Sequence, residues 1–222
     1  MCNLYSMTRS QDAIRALFGV KVDQTGNLPS LPAVFPDQLA PVIRIGAGGR
    51  SLERMRWGFP PPPNSNEKVT TNVRHLESSW WRPWLKPEYR CIVPATSFCE
   101  YHDVGKKPHW FALNADRPLF GFAGIWRPWT GVRGTKAERK ALLEETGSEG
   151  REHLVFAFLT TSPNELIRPV HAKAMPVILT GNGIDIWLEA DISIARDLQH
   201  PAPVDQLMQV ATGLRQDGAI EA

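Results

Sequence analysis

Proline is the residue that most constrains how this 222-residue chain can fold, because 19 prolines interrupt its apolar stretches. A proline has no backbone N–H for a β-ladder and is confined to strand ends, strand edges and bulges. The four prolines at 60–63 therefore predict an extended segment that ends sheet pairing, and Pro94 predicts a break between strands at 91–94 and 97–101. The sequence thus favours a loop-rich fold of short strands.

Helices are predicted at intervals between these strands. Thr8 or Ser10 is placed to cap a first helix that ends at Gly19, and a second helix is predicted at 136–145. The segment that carries Trp80, Trp81 and Trp84 is predicted to be helical as well.

The order of the elements indicates the fold class. The runs 109–113 and 119–126 predict a hairpin, and neither a repeat nor a regular βαβ rhythm is visible. We therefore predict an α+β fold, a strand-dominated single domain over 1–222 with a curved or barrel-like mixed sheet flanked by short helices. Residues from about 200 to 222 are expected to form a loosely packed tail.

Charge and hydropathy narrow the class of protein. The net charge of +2 permits nucleic acid as a partner without requiring it, since a DNA-binding face depends on local clustering. The sequence contains no apolar run near 18 residues and no secretory signal, so we expect a cytoplasmic protein without a membrane span. Neither a coiled coil nor a large exposed apolar face is predicted, which favours a monomer.

The three cysteines argue against a disulfide framework and are typical of a reducing compartment. Cys91 and Cys99 do not have the spacing of a zinc site, and the sequence has neither a C-x-x-C nor an H-x-x-x-H pattern. We therefore expect no metal and no cofactor.

The third cysteine, Cys2, directly follows Met1 and could become the first residue of the mature chain. It would then carry a free α-amine beside a thiol. An α-amine with a pKa of about 7.7–8.0 is partly neutral at pH 7, whereas a thiol with a pKa of about 8.5 is only slightly ionised. Such a 1,2-aminothiol can attack an aldehyde through nitrogen and close a thiazolidine ring through sulfur.

Four polar residues stand at the ends of apolar runs: Asn72, Glu100, Thr160 and His171. Each has an ordinary structural explanation when taken alone, such as a satisfied turn or a solvated strand end. Together with Cys2 they supply a nucleophile, a general acid and base, and an amide that could orient the reacting group.

The motifs that contain these residues occur in a recognisable order. Besides the Met1-Cys2 start, the matching blocks are Arg56–Pro60, Thr71–Arg74, Arg90–Ala95, Ser97–Tyr101, Phe122–Trp126, Thr160–Asn164 and Val170–Leu179. In this order the chain resembles the SOS response-associated peptidase (SRAP) family. The resemblance implies an enzyme that shields abasic sites in single-stranded DNA during the DNA damage response, and in a bacterium a nucleoid-associated location.

The resemblance also implies a mechanism. The protein would remove its own Met1, and the Cys2 amine would attack C1′ of the ring-opened sugar before the sulfur closes a thiazolidine. Glu100 would shuttle protons, His171 would assist ring opening, and Asn72 would hold the amine or the sugar. Thr160 would line the same pocket.

The resemblance further places three residues at the DNA. Arg74 would contact a phosphate, Trp57 would either stack on a base or be buried beside a glycine turn, and Arg56 precedes it in the same motif.

The chain departs from the family pattern in its DNA contacts. Asn3-Leu4 replaces the usual Gly-Arg, so that a cation next to the nucleophile is absent, and the interval from Pro60 to Asn66 lacks the usual tryptophan. After His171 the sequence continues Ala172-Lys173-Ala174, with altered spacing to Met175.

Two other functions use the same residues. Mature Cys2 could attack a carbonyl in a peptidase or amidase with an N-terminal nucleophile. Alternatively, the chain could be a non-enzymatic module that binds single-stranded DNA through a basic groove and stacked aromatics.

Overall fold

The computed structural model describes residues 2–61, 69–147 and 149–217. Its strands are β1 (Tyr5–Met7), β2 (Val22–Asp23), β3 (Leu31–Val34), β4 (Leu39–Gly46), β5 (Gly49–Trp57), β6 (Asn72–Val73), β7 (Arg90–Ala95), β8 (Ser97–Tyr101), β9 (Pro108–Ala112), β10 (Phe120–Gly131), β11 (Arg151–Thr161), β12 (Met175–Pro176), β13 (Ile178–Leu179) and β14 (Met208–Thr212). Its α-helices are α1 (Gln11–Phe18), α2 (Lys136–Thr146), α3 (Gly183–Glu189) and α4 (Ile192–Ala195).

Five strands close into a barrel in the order β5, β4, β7, β10 and β11. Successive neighbours in this order are antiparallel, and the parallel pair β11–β5 closes the ring, with Val155 opposite Arg56 and Phe156 opposite Trp57. Closure leaves the ladder between these strands without a free edge. The predicted strand-dominated α+β fold with a barrel-like mixed sheet is thus confirmed.

A second sheet has the strand order β14, β9, β8, β1 and β3. Tyr5 of β1 joins the two sheets, because its ring lies 5.2 Å from Trp57, 5.7 Å from Phe122 and 6.1 Å from Phe158, measured between ring centroids. Edge-to-face aromatic pairs of this kind contribute about 0.5–1.5 kcal/mol each beyond area burial. They hold the start of the chain against the barrel.

Alternate residues along β11 face opposite sides, as the two-residue period of a strand requires. Phe156 and Phe158 pack in the apolar cluster that contains Cys2 and Tyr5. Val155 and Leu159 pack in a second cluster, together with residues of α1 and α3. Each side of the strand therefore has its own core.

Two of the helices, α1 and α2, begin and end where the sequence indicates. Ser10 caps α1 by accepting a hydrogen bond from the N–H of Ala13, and Gly19 ends the helix with a left-handed φ of 62°. The predicted helix at 136–145 is observed as α2, whereas the tryptophan segment forms only a 3-10 turn at Arg82–Leu85. Within the described ranges, no helix has the length and apolar character needed to cross a membrane.

Two predictions about strands are wrong. The runs 109–113 and 119–126 do not form a hairpin, because β9 pairs with β8 and β14 while β10 pairs with β7, β11 and β13. Pro94 does not break β7 either. β4 pairs with β7 only at Cys91 and Ile92, so Pro94 has a partner strand on one side alone, β10. On the other side no backbone N–H is required from Pro94.

The proline run begins after sheet pairing has ended, since β5 stops at Trp57 and Phe59 makes only an isolated bridge with Thr70. The rest of that run, from 62, and the aromatic-free interval up to Asn66 lie outside the described residues.

The segment expected to form a loose tail contains a paired strand and a buried carboxylate within its described part. β14 pairs with β9, and the Asp217 side chain is fully buried. Its carboxylate accepts hydrogen bonds from Ser97 Oγ at 2.5 Å and from Arg117 Nε at 2.7 Å. Loose packing of the rest of this segment stays a prediction, and residues 218–222 lie outside the described part.

We expect Asp217→Ala to lower the free energy of unfolding by about 3 kcal/mol, because removing one partner of a buried ion pair leaves the other charge uncompensated. Urea denaturation of the purified protein measures this change. Asp205→Ala is the matched control, since Asp205 is exposed, and its effect should be within about 0.5 kcal/mol. Equal stabilities of the two variants would contradict the role given to Asp217.

Candidate active site

Cys2 lies just before β1, and the pairing of β1 with β8 fixes its position. The side chain is fully buried, and its thiol donates to the carbonyl of Leu4 at 3.5 Å and to that of Cys99 at 3.7 Å. Burial raises the pKa of the Cys2 thiol well above its usual value, and the nearby Glu100 raises it further. The sulfur is therefore a neutral thiol at neutral pH.

Asn72 holds the backbone of Cys2. It belongs to β6, which runs parallel to β11 and places Asn72 opposite Phe158. The Nδ2 of Asn72 donates to the Cys2 carbonyl at 2.9 Å and to Thr71 Oγ1 at 3.1 Å. Its Oδ1 is buried and has no hydrogen-bond partner among the described residues. The amide thus anchors the start of the chain and keeps one acceptor unused.

Glu100 stands near the end of β8 with only 2% of its surface exposed. Burial raises the pKa of its carboxyl group to about 8. Its Oε1 has no hydrogen-bond partner within the described part of the chain. Glu100 is therefore mainly protonated at neutral pH and can act as a general acid.

His171 follows β11 and is buried beside Glu100. Its Nε2 lies 4.0 Å from Glu100 Oε2, and its Nδ1 lies 3.0 Å from Asp103 Oδ1. Burial lowers the pKa of His171, so the imidazole is mainly neutral at neutral pH and can accept a proton. An acid and a base thus face each other in one place.

A cavity of about 380 Å³ opens over this pair. The residues that line it are Asn3, Glu100, Tyr101, Asp103, Lys106 and His171. Its volume is in the range of small-molecule sites, roughly 300–1,000 Å³. The fully buried Cys2 sulfur is not part of this lining. Where the chain is described, no group of three His, Cys, Asp or Glu side chains could hold a metal ion.

Thr160 lies on the same side of β11 as Phe156 and Phe158. It follows Phe156 and Phe158 at the two-residue period, and its side chain is therefore directed to the cluster that contains Cys2. Its carbonyl accepts a hydrogen bond from Gln199 Nε2 at 2.9 Å. Participation of Thr160 in the pocket stays a prediction.

Trp57 and Arg56 do not face DNA, so both assignments to a DNA contact are wrong. Trp57 is fully buried, stacks on Phe158 with ring centroids 5.1 Å apart, and donates from Nε1 to the Thr71 carbonyl. It is the buried tryptophan before the turn at Gly58, where φ is 121°. The Arg56 guanidinium is buried and bonded to the carbonyl of Asp37. Neither side chain is accessible to a base or a phosphate.

Arg74 remains a candidate for a phosphate contact. Its side chain is half-buried, and its NH1 donates to the carbonyls of Thr161 at 2.5 Å and Lys173 at 3.3 Å. Its NH2 donates to Ser162 Oγ at 3.2 Å. These acceptors are neutral, so they orient the guanidinium without cancelling its charge.

Two residues of the site were not identified from the sequence, Asp103 and Lys106. Both belong to the turn between β8 and β9, where Lys106 has an unusual positive φ of 54° and lines the cavity. The only sequence signal was the mixture of charges directly after Glu100, which is also what an ordinary solvated turn contains.

Comparisons with known proteins identify the family of the chain. The model of the family described as SOS response associated peptidase (SRAP) matches residues 1–213. The abasic site processing protein YoqW of Bacillus subtilis is 28% identical over 220 residues, covering 93% of this chain and 90% of that protein. The abasic site processing protein YobE of the same organism is 27% identical over 198 residues, covering 85% of this chain and 82% of that protein.

Solved structures share the fold. A crystal structure of a Bordetella bronchiseptica protein has a TM-score of 0.70 at 24% identity and covers 94% of this chain and 98% of its own. A Bacteroides thetaiotaomicron protein has the same TM-score and identity and covers 94% of this chain and 90% of its own.

We expect Glu100→Gln to be more stable than the wild type, by an amount that increases with pH. A carboxyl group whose pKa is raised in the folded state keeps its proton there, so wild-type stability falls as pH rises from the unfolded pKa of about 4.3 to the folded value. That folded value is about 8. The difference should grow to roughly 3–5 kcal/mol by pH 8.

Urea denaturation between pH 5 and pH 8 measures this difference. Glutamine preserves the size of the side chain and cannot titrate, so the comparison isolates the proton of Glu100. A stability difference that stays constant across this range would contradict the raised pKa.

Proposed function

Because the chain belongs to the SOS response-associated peptidase family, we propose that it processes abasic sites in DNA by forming a covalent crosslink through Cys2. In detail, the protein removes its own Met1, recognises an abasic site in single-stranded DNA and traps the sugar aldehyde as a thiazolidine. The observation that carries this proposal is that Asn72 holds the Cys2 carbonyl and that Glu100, which raises the pKa of the Cys2 thiol, lies 4.0 Å from His171.

The first step frees the amine of Cys2. Water adds to the Met1 carbonyl carbon, the bond from that carbon to the Cys2 nitrogen breaks, and the nitrogen takes up a proton. Neutral His171 can accept a proton from the attacking water, while protonated Glu100 can donate one to the leaving nitrogen. The products are methionine and a chain that begins with a 1,2-aminothiol.

The second step forms the imine. The Cys2 amine adds to C1′ of the ring-opened sugar, and the resulting hydroxyl leaves as water after Glu100 protonates it. The unused acceptors Asn72 Oδ1 and Glu100 Oε1 support this role, because a free amine brings the N–H donors that they lack.

The third step closes the ring. The Cys2 sulfur adds to the imine carbon, its proton passes to the nitrogen, and a thiazolidine results. The formation of the crosslink thus releases one water in all. The raised pKa keeps the thiol neutral, and a neutral thiol is a weak nucleophile. The amine therefore attacks first, and the sulfur adds after the imine has formed.

Two cations near the cavity are candidates for the phosphates that flank the lesion. Arg74 is oriented by neutral acceptors, and Lys106 lines the cavity together with Asn3. Asn3 precedes Leu4, which stands where the family pattern has its cation, so Lys106 supplies a positive charge to the cavity next to that position. Phosphate contacts of this kind bind single strands without reading their sequence.

We expect the wild-type protein, mixed with a uracil-containing oligonucleotide treated with uracil-DNA glycosylase, to give a shifted band on a denaturing gel. Cys2→Ala should abolish the band, because it removes the sulfur that closes the ring. Cys99→Ala is the matched control and should retain the band, since the Cys99 side chain packs with Leu4 and Trp110 in a separate cluster.

Intact mass identifies the product. The crosslink should weigh as much as the processed protein and the DNA together, less one water. Binding on a native gel without a covalent band would instead favour a non-enzymatic module, and hydrolysis of a peptide that depends on Cys2 would favour a peptidase.

We expect Lys106→Gln to weaken binding of abasic single-stranded DNA several-fold and to reduce the salt slope of the binding constant by about 0.7, the contribution of one single-strand phosphate contact. Fluorescence anisotropy between 50 and 200 mM salt, in a Cys2→Ala background that cannot crosslink, measures both. Lys140→Gln on the exposed side of α2 is the control. A slope shared by both variants would contradict the phosphate contact.

A further inference from the structure

The turn after β8 is bound to the segment around His171 by one residue, Asp103. Its backbone N–H donates to the carbonyl of Val170 at 2.9 Å. Its Oδ1 lies 3.0 Å from His171 Nδ1, and its Oδ2 accepts from the N–H of Ala172 at 3.1 Å. Asp103 thus contacts three successive residues, and both of its carboxylate oxygens have a partner.

These contacts decide which nitrogen of His171 carries the proton. An ionised carboxylate can only accept hydrogen bonds, so the 3.0 Å contact requires a proton on Nδ1. The pKa of Asp103 is lowered because its carboxylate accepts hydrogen bonds from the backbone N–H of Ala172 and from His171. Asp103 is therefore ionised at neutral pH. In the neutral imidazole, Nε2 is then the unprotonated nitrogen and lies on the side of Glu100.

We propose that Asp103 is a positioning residue, which holds His171 in the Nδ1–H tautomer so that Nε2 can exchange a proton with Glu100 and the reacting groups. The kinetic part of this inference rests on the proposed function, whereas the tautomer does not. Asp103 touches neither Cys2 nor the expected position of the sugar carbon through any contact described above, and it acts through the imidazole.

The proton transfers balance within the three residues. When Nε2 takes a proton from an attacking water or amine, the imidazole becomes positive, and Asp103 stabilises that charge at 3.0 Å. When Glu100 gives its proton to a leaving nitrogen or oxygen, Nε2–H can return one. The 4.0 Å between Nε2 and Glu100 Oε2 exceeds a hydrogen bond, so this exchange passes through a bridging water or the reacting group itself.

Asp103→Asn tests the tautomer with little change of shape. An asparagine keeps one acceptor oxygen, which can serve the N–H of Ala172, but its amide nitrogen then faces His171 as a donor. A donor at that place favours an unprotonated Nδ1 and therefore the Nε2–H tautomer, which removes the base from the side of Glu100. Loss of the correct tautomer is also the established effect of the corresponding substitution in serine proteases.

The titratable groups around His171 determine the sign of the pH effect. They are Glu100 on β8, Asp103 and Lys106 on the turn, Lys173 and the amino terminus of the chain. Burial lowers the pKa of His171 and Asp103 opposes this by raising it. Replacement of Asp103 by asparagine therefore lowers the pKa of His171, and the acidic limb of the rate profile moves to lower pH.

The first measurement uses long-range proton–nitrogen NMR spectra of the imidazoles, with His171 assigned from the spectrum of a His171→Gln variant. We expect the Nδ1–H tautomer in the wild type and in Asp205→Asn, and the Nε2–H tautomer in Asp103→Asn. Asp205 is an exposed carboxylate of matched chemistry. An Nε2–H tautomer in the wild type would overturn the inference whether or not the protein crosslinks DNA.

The second measurement is the single-turnover crosslinking rate between pH 5 and pH 9, with proteins whose Met1 has been removed. We expect Asp103→Asn to react about 10–100-fold more slowly, at or below the roughly 10²–10⁴-fold contribution of a general acid or base itself, because Asp103 acts only through the imidazole. DNA affinity should be unchanged and the acidic limb displaced. Asp103→Glu, which restores a carboxylate, should recover part of the rate.

The outcomes separate a positioning role from a structural one. If Asp103→Asn lowers the melting temperature but leaves the acidic limb and the tautomer unchanged, the inference is overturned. Asp103 would then only stabilise the loop. A wild-type protein that fails to crosslink would contradict the proposed function alone, and the NMR result would still decide the tautomer.

Discussion

The candidate site depends on the antiparallel pairing of β1 with β8. Tyr5 lies opposite Phe98, and the N–H of Cys99 donates to the carbonyl of Leu4 at 2.9 Å. This pairing places the start of the chain along β8, the strand that carries Glu100. Everything else follows from that register, because a slip of one residue would turn the side chains of β1 to the opposite face. The position of Cys2 is thus set by the backbone pairing of β1 with β8, together with the hydrogen bonds of its thiol and of the Asn72 amide.

Burial then sets the protonation states of the groups that surround it. It raises the pKa of Cys2 and Glu100 and lowers that of His171, so all three favour their neutral forms. Neutral groups are the cheaper ones to bury, since an unpaired charge away from water costs several kcal/mol. Burial thus keeps Glu100 as a carboxylic acid beside the unprotonated imidazole of His171. An acid and a base can therefore coexist at one pH.

Much of the fold and part of the site could be predicted from the sequence. Strand alternation and strand ends identified Asn72 and Glu100, and the structure brings both together with His171 and Cys2. The pairing of strands that are distant in sequence could not be predicted from the sequence, and the hairpin predicted for 109–113 and 119–126 was therefore wrong. Periodicity also does not say which side of a strand is solvated, so Trp57 could be either buried or a stacking surface. Asp103 was missed because its partner, His171, is 68 residues away.

A chain of hydrogen bonds links β1 to Asp217, close to the C-terminus of the sequence. Ser6 Oγ lies 2.8 Å from Ser97 Oγ, which donates to Asp217, and Asp217 accepts from Arg117. The strand that seats Cys2 is thus tied to a residue translated more than two hundred codons later. While the ribosome still holds residues near 217, β1 lacks part of its support. The hydrogen bonds that support β1 are therefore complete only after translation has passed this point.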